Sequence, residues 1–350
     1  MKVAVIYNEA YPEIKNEYQT KMNKELGFKP YFDIEHNDPI AEYESIAENL
    51  RRTGYSSYIL NILDNVDIFF NDIKKNKPDV IFNFVEIFKD KAELEMSFTS
   101  LYELLKIPYT GAPPLTLGTC QNKLLTKNLL SSIGINTPRY KYFIEPRKIY
   151  RHCLNYPLIV KPSLEDASVG IDVDAVVSDY QELKKRIEYI FKEFKQAVLV
   201  EEFIEGRELN VAILGHKNPK SLPISEIDFS KMPPNLHNIV SYQAKWEPLH
   251  EAYHKTIPKC PAKLPKKVEE KARELALRAF KVMDCRDYCR IDMRLSKDNT
   301  LYVLEVNPNP DLTEDAGFMR SMREAGYSYK RALKTIVEFA FERGKNIKVN

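Results

Sequence analysis

Short apolar runs alternate with longer amphipathic stretches along the first third of the chain. Lys2–Tyr7 (KVAVIY) reads as a buried strand, and the runs at 56–62 and 79–84 (DVIFNF) read as two more. Helical segments lie between and after them. Asp38-Pro39 opens one of these helices, with Asp38 as its cap and Pro39 suited to the first turn. Strands alternating with helices predict a parallel α/β sheet. Pro113-Pro114 marks its end and sets a first domain at 1–114. Residues 8–37 are polar and charged without a clear period, and read as an insert.

The pattern changes beyond residue 114. A helix is expected over 121–132, a strand over 158–161, a loop to Gly170, a helix over 180–194 and a strand over 197–203. These define a central unit, 115–200. The remainder, 201–350, carries strands at 208–214 and 222–227, a helix at 265–283 and a final helix at 329–343. A hairpin is expected over 287–295 and 301–307, turning at 296–299. Residues 228–261 read as irregular and contain Pro233-Pro234 and the only tryptophan, Trp246. A long loop inside a compact unit is expected to be either a lid or disordered, and the lid is the reading adopted for 228–261. The fold class is therefore α/β and α+β, with an N-terminal Rossmann-like parallel sheet.

Composition narrows the function classes. A chain of 350 residues suits two or three domains. With 52 basic and 50 acidic residues, it has no basic footprint for nucleic acid. No apolar run reaches membrane length, and 2–7 is too short for a signal-peptide core, so no membrane partner is expected. Five scattered cysteines, without a second Cys/His pair at zinc spacing, suit reduced thiols in a cytoplasmic protein.

The hairpin holds the densest chemistry. By alternation Cys289, Ile291, Met293 and Leu295 share one face while Arg290 and Asp292 share the other. In the second strand Leu304 and Val306 oppose Glu305 and Asn307. If the polar faces coincide, Asp292, Glu305 and Asn307 converge beside Arg290. Two carboxylates and an amide oxygen are hard donors suited to Mg2+ held together with phosphates. A half-exposed hairpin with one wet face explains the same pattern equally well.

Other stretches add to it. Lys161 ends a strand that runs into Ser163–Gly170, a loop of small residues able to cradle phosphate through backbone N–H groups. A solvated strand end is the alternative for Lys161. Asn122-Lys123 opens a helix, where anions are favoured, although Lys123 also reads as an ordinary surface lysine. Residues 198–208 (VLVEEFIEGRE) form a strand, a turn at Gly206 and a second strand. Phe203 and Ile204 can wall a flat base there, and Glu208 can accept from ribose hydroxyls.

In register, these pieces resemble the ATP-grasp superfamily, in its D-alanine–D-alanine ligase branch. The matching stretches are IPYTGAPPLTLGTCQNK (107–123), GINTPRY (134–140), PLIVKP and ASVG (157–170), VLVEEFIEGRE (198–208), YQAKW (242–246), CRIDMRL and LYVLEVNPNP (289–310). The resemblance implies an ATP-grasp fold with ATP between the second and third units. It implies that Lys123, Lys161 and Ser168 contact the nucleotide, with Glu201, Glu202, Phe203 and Ile204 along the adenine and Glu208 at the ribose. It also implies that Asp292, Glu305 and Asn307 hold two Mg2+ ions, with Mn2+ able to substitute. Arg290 would stabilise the transferring phosphoryl group, and Lys245 on the lid would reach the γ-phosphate. The implied reaction joins a small-molecule carboxylate to an amine through an acyl-phosphate, and homodimers are usual in the family.

The substrate half departs from the family pattern. Glycine-rich segments are missing after the first and third strands, where Asn8–Pro12 and Phe84–Asp90 stand instead. Ala167 and Trp246 replace a serine and a tyrosine of a substrate network, Ala316 replaces a serine that holds the acceptor carboxylate, and Asp311 replaces a glycine. These departures imply another acid, another amine, or both. D-alanine–D-alanine ligase itself and a non-ligating nucleotide-binding relative are the competing readings. A nicotinamide dehydrogenase is disfavoured because no glycine fingerprint follows the first strand. Asp311, Glu314 and Asp315 would repel a carboxylate and attract a cation, which implies an acceptor with an extra amine or without a free carboxylate near its reacting nitrogen. Alternatively, Thr313 caps a short helix and the acids complement its dipole.

Overall fold

The computed structural model describes residues 1–9 and 39–347; most of the 8–37 insert and the expected cap Asp38 lie outside the described residues. The first sheet is parallel, ordered β2 (Ser56–Asn61), β1 (Lys2–Tyr7), β3 (Val80–Phe84). Its faces are covered by α1 (Pro39–Arg51), α2 (Val66–Asn76) and α3 (Glu95–Leu104). Val3, Val5, Val80 and Phe82 face one core while Ala4, Ile6 and Ile81 face another. Burial on both faces is why these strands read as continuous apolar runs.

The expected helix at 121–132 is divided at Asn122. α4 (Pro114–Gln121) ends there and α5 (Lys123–Ser132) begins, with the Asn122 side chain accepting from the Leu125 N–H at 3.1 Å. That acceptor satisfies a first-turn donor and lets the chain change direction. The central sheet is antiparallel, ordered β4 (Tyr140–Phe143), β7 (Val198–Glu202), β5 (Leu158–Pro162), β6 (Val176–Val177). Asp179 caps α6 (Tyr180–Phe194), whose Leu183, Ile187 and Ile190 stripe packs under this sheet.

The third sheet holds β8 (Gly206–Leu214), β9 (Lys220–Ser221), β10 (Ser225–Asp228), β11 (Ile257–Lys259), β12 (Tyr288–Ser296) and β13 (Leu301–Asn307). Its path is β11-β10-β8-β12-β13, with β9 on β8. The stretch 228–261 is less irregular than its sequence suggests. It contains α7 (Tyr242–Trp246), α8 (Glu251–Lys255) and β11, elements too short to show a period. Behind the sheet lies α9 (Lys266–Val282), whose Ala272, Leu275, Ala276, Ala279 and Phe280 are buried.

α10 (Gly317–Glu324) and α11 (Tyr329–Ile347) close the chain against the first sheet. The expected cap at Thr313 is not formed. The helix starts later, with Ala316 at its cap position and no acidic residue in its first turn. Thr313 instead gives its N–H and hydroxyl to Asp311 at 2.8 and 3.0 Å, closing a local turn. Buried Asp287 accepts from Gly111 N–H at 3.0 Å and pairs with Arg343 of α11, locking the first sheet to the base of the hairpin. Among the described residues, no helix is long and apolar enough to cross a membrane.

Candidate active site

A cleft of about 420 Å3 lies between the central and third sheets. Its floor is the β12–β13 hairpin, where Asp292 stands opposite Glu305 and Arg290 opposite Asn307. The polar faces coincide as period two requires. The apolar face is interrupted between Asp292 and Met293, where a bulge leaves Leu304 without a partner. Leu304 therefore lines the cleft rather than sharing the Val306 face expected from alternation.

Arg290 grips Asp292 bidentately, Nε to Oδ1 and Nη2 to Oδ2, both at 2.7 Å. Asn210 donates to Asp292 at 2.7 Å and Asn307 at 2.9 Å. Burial alone would raise the Asp292 carboxyl, but Arg290 outweighs it and holds it below the usual range. Glu305 has no such partner, and burial followed by Asp292 raises its carboxyl. The floor thus carries more negative charge than its own arginine neutralises. No group of three His, Cys, Asp or Glu side chains among the described residues has metal-holding geometry. Two carboxylates and an amide fit a hard cation whose shell is completed by phosphate oxygens and water.

The opposite wall comes from the central sheet. Lys161 at the end of β5 lies 2.6 Å from Glu201 Oε2, and Lys127 of α5 bonds the other oxygen. Glu201 is 2 % exposed, so burial works against its charge; the two lysines reverse this and hold it at about 2. Lys127 stands one helical turn after Lys123, on the same face. Lys123 lines the cleft and donates to the Glu165 carbonyl.

The loop between β5 and β6 passes above them. Ala167 and Ser168 both take positive φ, 52° and 65°, uncommon for residues other than glycine, and the Val169 N–H closes this turn on the Asp166 carbonyl at 2.9 Å. Gly170 follows at φ +73°, where an added Cβ would meet Pro162 Cγ at 2.5 Å.

Glu202, Phe203 and Ile204 line the next stretch of the cleft. Glu202 is anchored by Asn155 N–H at 2.9 Å and Arg139 at 3.1 Å. Glu208 lies deeper, where burial raises its carboxyl against the pull of Arg294, 2.9 Å away. The 228–261 segment covers this arrangement. Trp246 Nε1 donates to the Ala167 carbonyl at 2.9 Å, Tyr242 N–H to the Ile171 carbonyl at 2.8 Å, and the Ser168 hydroxyl to the Val240 carbonyl at 2.9 Å. Lys245 faces the cleft and lowers the Glu305 carboxyl.

Among the residues singled out from sequence, the cleft brings together Lys123, Lys161, Ser168, Glu201 to Ile204, Glu208, Lys245, Arg290, Asp292, Glu305 and Ala316. Trp246, Asp311 and Asn307 are not among its lining residues; Asn307 reaches the site through its bond to Asp292. Trp246 joins the 228–261 segment to the loop between β5 and β6, and Asp311 holds its turn. Sequence reasoning missed Lys127, Asn210, Arg294 and Glu95. Asn210 shares a strand face with Glu208, and Arg294 shares one with Arg290 and Asp292, so alternation alone could have found both. At the mouth Glu86 keeps an exposed surface, yet the protein packed around its carboxyl, then Asp311 and Asp166, push it up to about 7, with Lys245 opposing. Glu95 is raised as well, by burial and then Glu86. A larger hollow of about 980 Å3 beside Arg139 and His152 contains none of the cleft's carboxylates.

Comparison with known proteins converges on one family. A family model described as the D-ala D-ala ligase C-terminus matches residues 129–338. The D-alanine–D-alanine ligase of Aquifex aeolicus is 30% identical, covering 84% of this chain and 92% of that one. That of Carboxydothermus hydrogenoformans is 30% identical, covering 85% and 92%. A Sinorhizobium fredii protein named only as uncharacterised is 27% identical over 98% of each chain. The crystal structure of a D-alanine–D-alanine ligase from Bacillus anthracis, complexed with ATP, shares the fold at a TM-score of 0.72, with 23% identity and 99% of both chains covered.

Proposed function

This chain belongs to the D-alanine–D-alanine ligase family and is an ATP-dependent ligase, and from that premise we propose that it joins a carboxylate to an amine through an acyl-phosphate, with a substrate pair other than two D-alanines. The observation that carries the reading is the convergence of Arg290, Asp292 and Glu305 on one wall of a cleft, with Asn307 bonded to Asp292, and of Lys123 and Lys161 on the other. A dead site would be free to lose these groups. On this reading 1–114, 115–200 and 201–350 are three domains, and ATP lies between the last two.

A carboxylate acylates poorly because oxide is a poor leaving group. One of its oxygens attacks the γ-phosphorus, ADP leaves, and the oxygen becomes part of a phosphate that can depart. Family members use ATP, typically with Mg2+, which supplies charge neutralisation at the phosphates when bound. Asp292, Glu305 and Asn307 are the residues that would hold it. Two ions, replaceable by Mn2+, and a homodimer complete the finer reading. Lys123, Lys161 and Arg290 neutralise the transferring group, and Lys245 adds a cation from the lid. The lid excludes water, which would hydrolyse the acyl-phosphate. The amine then attacks the carbonyl carbon, phosphate leaves, and an amide remains.

The acceptor reading rests on the mouth. Asp311 and Asp166 raise Glu86, and Ala316 at the cleft offers no hydroxyl to a carboxylate. Arg323 offsets part of this charge, 3.4 Å from Asp315. An acceptor with an additional amine, or without a carboxylate near its reacting nitrogen, suits this lining. Full-length similarity to D-alanine–D-alanine ligases favours the second reading, that activity itself with an altered pocket. The test is phosphate release from ATP and Mg2+ across a matrix of acids and amines, with D-alanine included as both. Basic amines or amides are expected to be the best acceptors, with D311N weakening that preference. D-alanine as best acid and best acceptor would replace this reading with the second.

A further inference from the structure

Arg294 brings a charge into the part of the cleft that the proposed function assigns to the nucleotide's sugar and base. It lies on β12, directly opposite Glu208 on β8, and is only 3% exposed. Its Nη2 lies 2.9 Å from Glu208 Oε2 and also donates to the Asn238 carbonyl. Its Nη1 donates to the Gly206 carbonyl at 3.2 Å. The guanidinium carbon sits 5.5 Å from the centre of the Phe203 ring and 5.6 Å from that of Phe229.

One planar group therefore touches three pieces of chain. Phe203 and Gly206 belong to the turn walling the base. Glu208 is the acid placed at the ribose. Phe229 and Asn238 belong to the start of the lid. Gly206 lies so close to β12 that an added Cβ would sit 2.0 Å from the Leu295 carbonyl oxygen, so the turn is fixed against the strand that carries Arg294. A buried charge persists only when paired and hydrogen-bonded. Here the partners are supplied by the nucleotide pocket and the lid together, so neither can move without disturbing the other. Two aromatic rings add cation–π attraction, which a planar guanidinium exploits on both faces.

We infer that Arg294 is a positioning residue that clasps the lid base to the sugar-binding acid, so that sugar discrimination and lid position are set by one group. The inference rests on the assignment of Glu208 to the ribose. Arg294 occupies Oε2 and leaves Oε1 free for the nucleotide, so one hydroxyl of the pair is read more strongly than the other. Burial pushes Glu208 toward its neutral form, and Arg294 is the strongest group opposing it. An apolar residue at 294 would remove the countercharge, the aim of the carboxylate and the tie to Asn238 together.

The probes are ATP, 2′-deoxy-ATP and 3′-deoxy-ATP with Mg2+, titrated into wild type, R294M, R294K and E208Q. Binding is followed by calorimetry and by the emission of Trp246, the single tryptophan, which rides on the lid. Wild type is expected to bind ATP about tenfold tighter than one of the deoxy nucleotides. R294M is expected to weaken ATP by about tenfold or more, to bring the three nucleotides within about twofold, and to lose the emission change. R294K keeps the charge without the fork and falls between; E208Q loses discrimination. R294M with wild-type discrimination overturns the inference while leaving Glu208 at the ribose. A wild type that binds all three equally overturns the Glu208 assignment and the inference with it. Should R294M fail to melt cooperatively, R294K with full discrimination and a full Trp246 response overturns the inference in its place.

Discussion

At the residue scale, the floor of the cleft is decided by unequal partnering of two carboxylates. Asp292 is held by Arg290, Asn210 and Asn307, whereas Glu305 meets Asn307 at 3.4 Å and a hydrogen bond shared with Asp292 itself. Glu305 is therefore the carboxylate with most to gain from a cation. Glu305→Gln keeps volume and removes the charge; turnover is expected to fall at least about a hundredfold, the scale of one lost transition-state contact. An unchanged melting temperature alongside that loss separates chemistry from folding, and near wild-type turnover would remove Glu305 from the site. Glu86 gives a pH signature. Its carboxyl is raised from 4.5 to about 7 in the folded chain, so between those values the folded state holds a proton that the unfolded state has released. Stability from this group is fully present below the lower value and is lost as pH rises toward the upper one. Glu86→Gln is expected to lose less stability than wild type between pH 5 and pH 8 in thermal melts. Parallel curves would mean that Glu86 titrates normally.

At the element scale, the 228–261 segment proposed as the lid holds a short strand and two short helices, pinned to the loop between β5 and β6 by Trp246, Tyr242 and Ser168. Few contacts of this kind make a segment that opens locally. Amides of 228–261 are expected to exchange faster without nucleotide and to be protected by a non-hydrolysable ATP analogue. Equal exchange in both states would make the segment ordinary packed structure. Alternation exposed the hairpin face because period two runs unbroken along β12 and through Glu305–Asn307 of β13, so Asp292, Glu305, Arg290 and Asn307 were legible from sequence. The bulge at Leu304 was not, since one extra residue leaves no mark in a polar and apolar pattern. Lys127 was hidden because a lysine on an amphipathic helix reads as solvated, while its burial depends on Glu201 from a different strand. The elements of the lid were too short to show a period.

At the scale of the whole molecule, a net charge of +2 conceals strong local separation. Lys123 and Lys161 line the central-sheet wall beside Glu201, Asp292 and Glu305 the hairpin wall beside Arg290, and further acids the mouth toward the first sheet. The Asp287, Gly111 and Arg343 junction holds that mouth against the hairpin, so charges as far apart in sequence as Glu86 and Asp311 meet at one cleft that no local reading of sequence could assemble. The family fixes the ATP half of the account; the mouth carries what is particular to this chain. The central claim is that the carboxylate is activated by phosphorylation, and oxygen transfer tests it most directly. With the best acid from the matrix labelled with 18O in its carboxylate, one labelled oxygen is predicted to be recovered in inorganic phosphate for each amide formed, with ADP as the nucleotide product. Label recovered in AMP, with pyrophosphate released, would contradict the account.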